Sequence, residues 1–117
     1  MTTGTLHTKL AGVTKQNPDG GKRQNYIRRY CHSGQTLIFK REPNNRYDPD
    51  AVGVWILARA FLFFTAEVQI GYLKADLSSE MARHIDRGGT LLGEITEVTG
   101  TNRQSRGVNI LLTKVKT

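Results

Sequence analysis

Asp48 and Asp50 sit two residues apart in a polar stretch, Lys40-Arg41-Glu42-Pro43-Asn44-Asn45-Arg46-Tyr47-Asp48-Pro49-Asp50-Ala51-Val52. Carboxylates at that spacing could hold a divalent cation, but no third ligand is evident, which argues against a nuclease-type centre. The same stretch has a basic pair, two adjacent amides and an aromatic ring, and loops held between strands are where binding groups concentrate. Other reactive residues lack partners. His7, His32 and His84 are far apart and lack ligand spacing. Cys31 is the single cysteine, so an internal disulfide and a multi-cysteine zinc site are excluded. It reads as a small buried hydrophobe. Gly20-Gly21 and Gly88-Gly89 are turn glycines, and no nucleophile elbow or phosphate-binding loop occurs. Neither a metal nor a cofactor is expected.

Charge supports a polyanion as partner. Of the net +7, residues 1–41 hold eight basic groups (Lys9, Lys15, Lys22, Arg23, Arg28, Arg29, Lys40, Arg41) against Asp19 alone. Residues 42–117 hold nine of each sign. Segregated positive charge attracts nucleic acid, although a solvated basic face would look the same.

The elements that must position these groups follow from pattern. The 117 residues suit one domain, 1–117 with its core at about 8–115. No apolar run is long enough to span a membrane, and the first residues lack the build of a signal peptide. With one cysteine, a cytoplasmic setting is expected. Residues 6–14 alternate as a strand. Ile27, Tyr30 and Cys31 keep helical spacing within 25–33, with Asn25 as candidate cap and Gly34 as stop. A strand showing Tyr26, Arg28 and Tyr30 is the alternative there. Strands are expected at 35–41, 52–57, 67–72, 90–98 and 107–115, and a helix from Asp76 to about Arg87. Asp48-Pro49 suits one helical turn.

Residues 58–66 contain Phe61, Phe63 and Phe64 and no turn former. They lengthen the neighbouring strands or form a surface for self-association. Strands in hairpin succession give a mainly β chain, a small antiparallel OB- or SH3-like barrel of about six strands with one or two short helices.

Several groups match one family in order. They are Leu10-Ala11-Gly12-Val13-Thr14, Arg23-Gln24, Gly34-Gln35-Thr36-Leu37-Ile38-Phe39, the central run Arg41 to Val54, and Ile70-Gly71-Tyr72-Leu73-Lys74 ahead of a helix. Over about residues 8–98 the chain resembles the HIRAN domain in its small stand-alone bacterial form, related to the DNA-binding domain of the helicase-like transcription factor. The resemblance implies an OB-like barrel that binds single-stranded DNA, in particular a free 3′ end, without catalysis. It implies a role in repair or stalled-fork processing, with a helicase or another repair protein as partner. Asn45, Tyr47 and Asp48 fall on the family's DNA-contacting positions, and Tyr72 and Lys74 in its second contacting motif. The aspartate would accept a bond from the terminal hydroxyl. Arg23, Lys40 and Arg41 would supply the salt-dependent attraction to phosphates.

The chain departs from the family at Thr14-Lys15, where helicase-fused members have Arg-Tyr, and no aromatic stands in for theirs among residues 99–109. Each site residue also has a structural role open to it. Asp48 could cap the turn at Pro49, Asn44 and Asn45 could form turns, Tyr47 and Tyr72 could be core rings, and Arg23 could pair with Asp48 or Asp50. The alternative function is a protein-interaction or homo-oligomeric module docking through Phe61, Phe63 and Phe64.

Overall fold

The computed structural model describes residues 2–61, 64–101 and 104–116, without the side chains of Thr2, Thr3, Ala60 and Phe61. The chain order is β1 (Thr2–Lys9), α1 (Arg23–Tyr30), β2 (Ile38–Arg41), β3 (Val52–Phe61), β4 (Phe64–Tyr72), α2 (Ala75–Asp86), β5 (Thr90–Thr99) and β6 (Gly107–Val115). Six strands form two antiparallel three-stranded sheets, β1-β6-β5 and β2-β3-β4. The ladder does not close into a barrel. Single bridges, Ala11 to Tyr72 and Thr36 to Glu94, join the sheet edges in a barrel's circular order.

Alternation builds the core. Val52, Val54 and Ile56 of β3 meet Val108, Ile110 and Leu112 of β6, with Ile27 of α1 and Met81 of α2 plugging the ends, all fully buried or nearly so. Side chains two apart on a strand share a face. The opposite face of the second sheet therefore carries Gly53 and Trp55 of β3, with Gln69 and Tyr72 as their cross-strand partners on β4.

The expected elements are present, with shifted ends. β1 occupies Thr2–Lys9 rather than 6–14, because the chain leaves β6 after Leu10, whose N–H still reaches the Val108 carbonyl, and Ala11 bridges to Tyr72 instead. The helix in the ambiguous segment begins at Arg23, ahead of Asn25, and Lys22 at its N-cap gives no side-chain cap bond. Arg28 and Arg29 lie on its wet side as expected. α2 starts after Lys74, not at Asp76, again without a side-chain cap. The strand expected at 35–41 is regular only from Ile38. Of residues 58–66, 58–61 and 64–66 lengthen β3 and β4 into a two-stranded ribbon that runs beyond the part of β3 paired with β2, and 62–63 lie outside the described residues.

Candidate nucleic-acid interface

The polar run between β2 and β3 is a loop folded on its own side chains. Asn45 Oδ1 accepts from the Tyr47 and Asp48 N–H groups at 2.9 and 3.1 Å, and its amide donates to Glu42 Oε1 at 3.1 Å. Asp48 Oδ1 accepts from the Asp50 N–H at 2.9 Å, and the Ala51 N–H reaches the Asp48 carbonyl at 3.0 Å. Asx turns of this kind fix a loop without regular structure. Asn45 is thus a builder of the loop, and Asp48 closes a tight turn. Arg41 anchors the loop from behind. It donates to the Pro49 and Ala51 carbonyls at 2.9 and 3.2 Å and grips Asp86 at the end of α2 with two bonds.

A cleft of about 760 Å³ opens between this loop, the segment after β1 and the start of α2. Gly12, Lys15, Arg23, Glu42, Arg46 and Tyr72 are among its walls, with Asn45, Tyr47 and Asp48 on the loop side. Arg23 is its most unusual member, a cationic residue only 4% exposed. Its Nε donates to Asn17 Oδ1 at 2.7 Å and its Nη1 to the Gly12 carbonyl at 2.9 Å. Its Cζ lies 5.1 Å from the Tyr72 ring centre. Among the described residues it has no carboxylate partner, so the rival pairing with Asp48 or Asp50 is not formed. Gly12 permits this approach. It sits at φ +68°, and a Cβ there would come within 3.2 Å of Arg23 Nη1.

Tyr72 closes the other wall. Its hydroxyl donates to Glu42 Oε1 at 2.8 Å. Burial, together with that carboxylate, holds the phenol above its ordinary pKa. Tyr47 is not a core ring. It is 89% exposed on the cleft rim, 5.8 Å from the Arg46 guanidinium. Asp48 Oδ2 lies 3.1 Å from Ser78 Oγ of α2, which is equally close to the Ala75 carbonyl. One hydroxyl proton serves only one of them at a time, so Asp48 keeps spare acceptor capacity.

Five of the expected residues, Arg23, Asn45, Tyr47, Asp48 and Tyr72, therefore come together. Lys74 is exposed beside the cleft, between its wall residues Leu73 and Ala75. Lys40 and Arg41 stand outside it. The Lys40 ammonium is 2.5 Å from Glu67 and 4.0 Å from the Trp55 ring centre, and Arg41 belongs to Asp86. Glu42, Arg46 and Asn17 were not singled out in the sequence. Glu42 and Arg46 lie inside the central run, but nothing local marks Asn17 as the support of Arg23.

Burial pushes the Cys31 thiol up to about 12, which suits packing rather than nucleophilic attack. Among the described residues, no three His, Cys, Asp or Glu side chains gather as a metal would require. No helix among the described residues is long and apolar enough to cross a membrane.

The sequence matches the family model of the HIRAN domain over residues 4–114. No curated protein matches it. Two solved structures share its fold at 18% identity over 97% of this chain. One is the HIRAN domain of human HLTF (TM-score 0.63, 76% of that chain), the other a protein from Lactobacillus plantarum (TM-score 0.67, 100% of that chain).

Proposed function

Because the chain belongs to the HIRAN domain family, whose members are nucleic-acid-binding domains, we propose that its cleft binds single-stranded DNA at a free 3′ end. The observation that carries this is the buried Arg23 cation in the cleft wall, held by neutral acceptors and, among the described residues, without a carboxylate partner. A cation so held is ready for a phosphate. Lys15, Arg46 and Lys74 add screened attraction. Tyr47 offers a ring for stacking, which tolerates any base. Asp48 is the end-reader. A carboxylate accepts but does not donate, so it takes a terminal hydroxyl and repels a terminal phosphate. The setting this suits is recognition of DNA ends during repair, on behalf of a helicase or another processing enzyme.

The test is fluorescence anisotropy with a short labelled mixed-sequence strand bearing a 3′-hydroxyl or a 3′-phosphate, and with a blunt duplex, at two salt concentrations. The hydroxyl strand should bind tightest. Asp48→Asn keeps an acceptor for the Asp50 N–H but removes the charge, and should bring the two strands to equal affinity. Equal binding of both strands by the unaltered protein would defeat end reading, and no binding of any form would defeat the DNA-binding reading itself.

A second reading rests on the β3–β4 ribbon. Beyond the reach of β2 it exposes Leu57 (56%) and Phe64 (67%). Phe63 and the Phe61 side chain lie outside the described residues. This reading makes the ribbon a contact between copies of the chain. Light scattering should then show an oligomer that Leu57→Ser with Phe64→Ser reduces to monomer, and a monomeric unaltered protein would end the idea.

A further inference from the structure

The Tyr72–Glu42 hydrogen bond is a partition. On one side is the Arg23 cleft. On the other is a second cavity of about 350 Å³ over the outer face of the β2-β3-β4 sheet, walled by Pro18, Tyr26, Trp55 and Val68. The two differ in sign. Lys15, Arg23 and Arg46 outnumber Glu42 and Asp48 in the cleft, whereas the second cavity has Asp19, Glu42 and Glu67 in its lining, with Glu67 held by the Lys40 ammonium beside it. A phosphate would be repelled there, while a flat, neutral group rich in N–H donors would fit between the aromatic and aliphatic walls.

Two polar groups at its base lack partners of their own among the described residues. Glu42 Oε1 accepts from Tyr72 and Asn45, and no hydrogen bond reaches Oε2. The Trp55 indole N–H is buried without an acceptor. Both converge over Gly53. A Cβ on that residue would lie 2.7 Å from Glu42 Oε2 and 3.1 Å from Trp55 Nε1. Only the missing side chain leaves room for the pair. An acceptor and a donor side by side form half of a base-pairing edge.

We propose that this cavity reads one nucleobase of the bound strand and favours bases with an exocyclic amino group. The inference rests on the strand-binding reading above and adds sequence preference to it. With its backbone in the basic cleft, a strand would turn one base past Tyr72 into the acidic cavity. The amino N–H of cytosine would meet Glu42 Oε2, and a shift of the side chains at the cavity base would bring the neighbouring ring nitrogen onto the Trp55 Nε1–H that they now bury. Thymine has no amino group, and its single ring N–H is flanked by two carbonyl oxygens. Seating it would press a carbonyl against a carboxylate.

The experiment compares labelled six-residue strands of deoxycytidine and of thymidine, both with free 3′ ends, by anisotropy with the whole chain. The cytidine strand should bind roughly five- to a hundredfold more tightly, the span expected for one well-made base contact. Glu42→Gln can keep a carbonyl oxygen for Tyr72 and Asn45 while turning a donor into the cavity. It should abolish or reverse the preference. Trp55→Phe keeps a ring but loses the N–H, and should narrow the preference while leaving the salt dependence unchanged. If both strands bind within about twofold of each other, base reading is overturned and strand binding stands. If neither strand binds, the reading beneath it falls as well.

Discussion

Arg23 and Tyr47 contribute in opposite ways, and their variants should behave oppositely. Tyr47 is almost fully solvated, so Tyr47→Ala should move stability by no more than about 0.5 kcal/mol. If the ring stacks on a base, the same change should weaken strand binding by about 1–3 kcal/mol. A melt and a titration on one sample separate the two effects. Arg23 is buried, and Arg23→Met removes its charge while filling similar space. Asn17 and the Gly12 carbonyl then lose their donor, at a cost of about 1–3 kcal/mol in stability. The slope of log affinity against log salt should fall by about 0.7, as for one lost phosphate contact on a single strand. An unchanged slope would place Arg23 in the scaffold alone. The sequence shows Tyr47 and Asp48 together because they lie in one run of turn chemistry. It does not show that Lys40 and Arg41 sit outside the cleft, because their partners, Glu67 and Asp86, are 27 and 45 positions away.

At the level of elements, the long periodic segments were readable and their ends were not. α2, β5 and β6 lie within a residue or two of their expected bounds, since their apolar spacing is imposed by a core on one side. α1 begins two residues before its expected cap, because its first turn is fixed by Arg23 reaching Asn17 and Gly12 rather than by a capping side chain. The bridge between Ala11 and Tyr72 could not be read at all. It depends on two backbones meeting at the sheet edges, with paired bonds of 2.8 and 2.9 Å. Gly71 permits it, for a Cβ there would stand 2.7 Å from the Ala11 carbonyl. Gly71→Ala should therefore push the post-β1 segment off β4 and cost about 1–3 kcal/mol, as overpacking against rigid backbone does. Chemical denaturation measures that cost. Strand binding should fall with it, because Gly12 and Tyr72 hold the two walls of the cleft. A variant of unchanged stability would mean that the bridge yields without strain.

For the whole molecule, the question is what fastens two sheets that share no continuous ladder. The core does most of it, and α2 acts as a clamp across them. Arg41 of β2 grips Asp86 at one end of the helix, and Lys114 of β6 reaches Glu80 at 2.6 Å from the other sheet. Hydrogen bonding to Arg41 holds the Asp86 carboxyl below its usual range, and Lys114 does the same for Glu80. A carboxylate with a depressed folded pKa stabilises the fold above its unfolded pKa, and that contribution is lost as pH falls through the folded one. Both carboxylates are well exposed, so each contribution is small and screened by salt. The expected result is a modest acid weakening that begins as pH falls into the ordinary carboxylate range, is complete only below it, and is centred on α2. Hydrogen exchange should show the amides of α2 losing protection before those of β3 and β6 as pH is lowered, after correction for intrinsic rates. Adding Asp86→Asn and Glu80→Gln should remove that order at low pH and loosen α2 at neutral pH. If α2 and the strands instead lose protection together, the core alone fastens the sheets and the ion pairs only decorate the surface. Either outcome bears on binding, since Ser78 of α2 faces Asp48 and Arg41 braces the loop that carries it. A clamp loosened by acid should lose discrimination between 3′-hydroxyl and 3′-phosphate strands before it loses affinity for DNA.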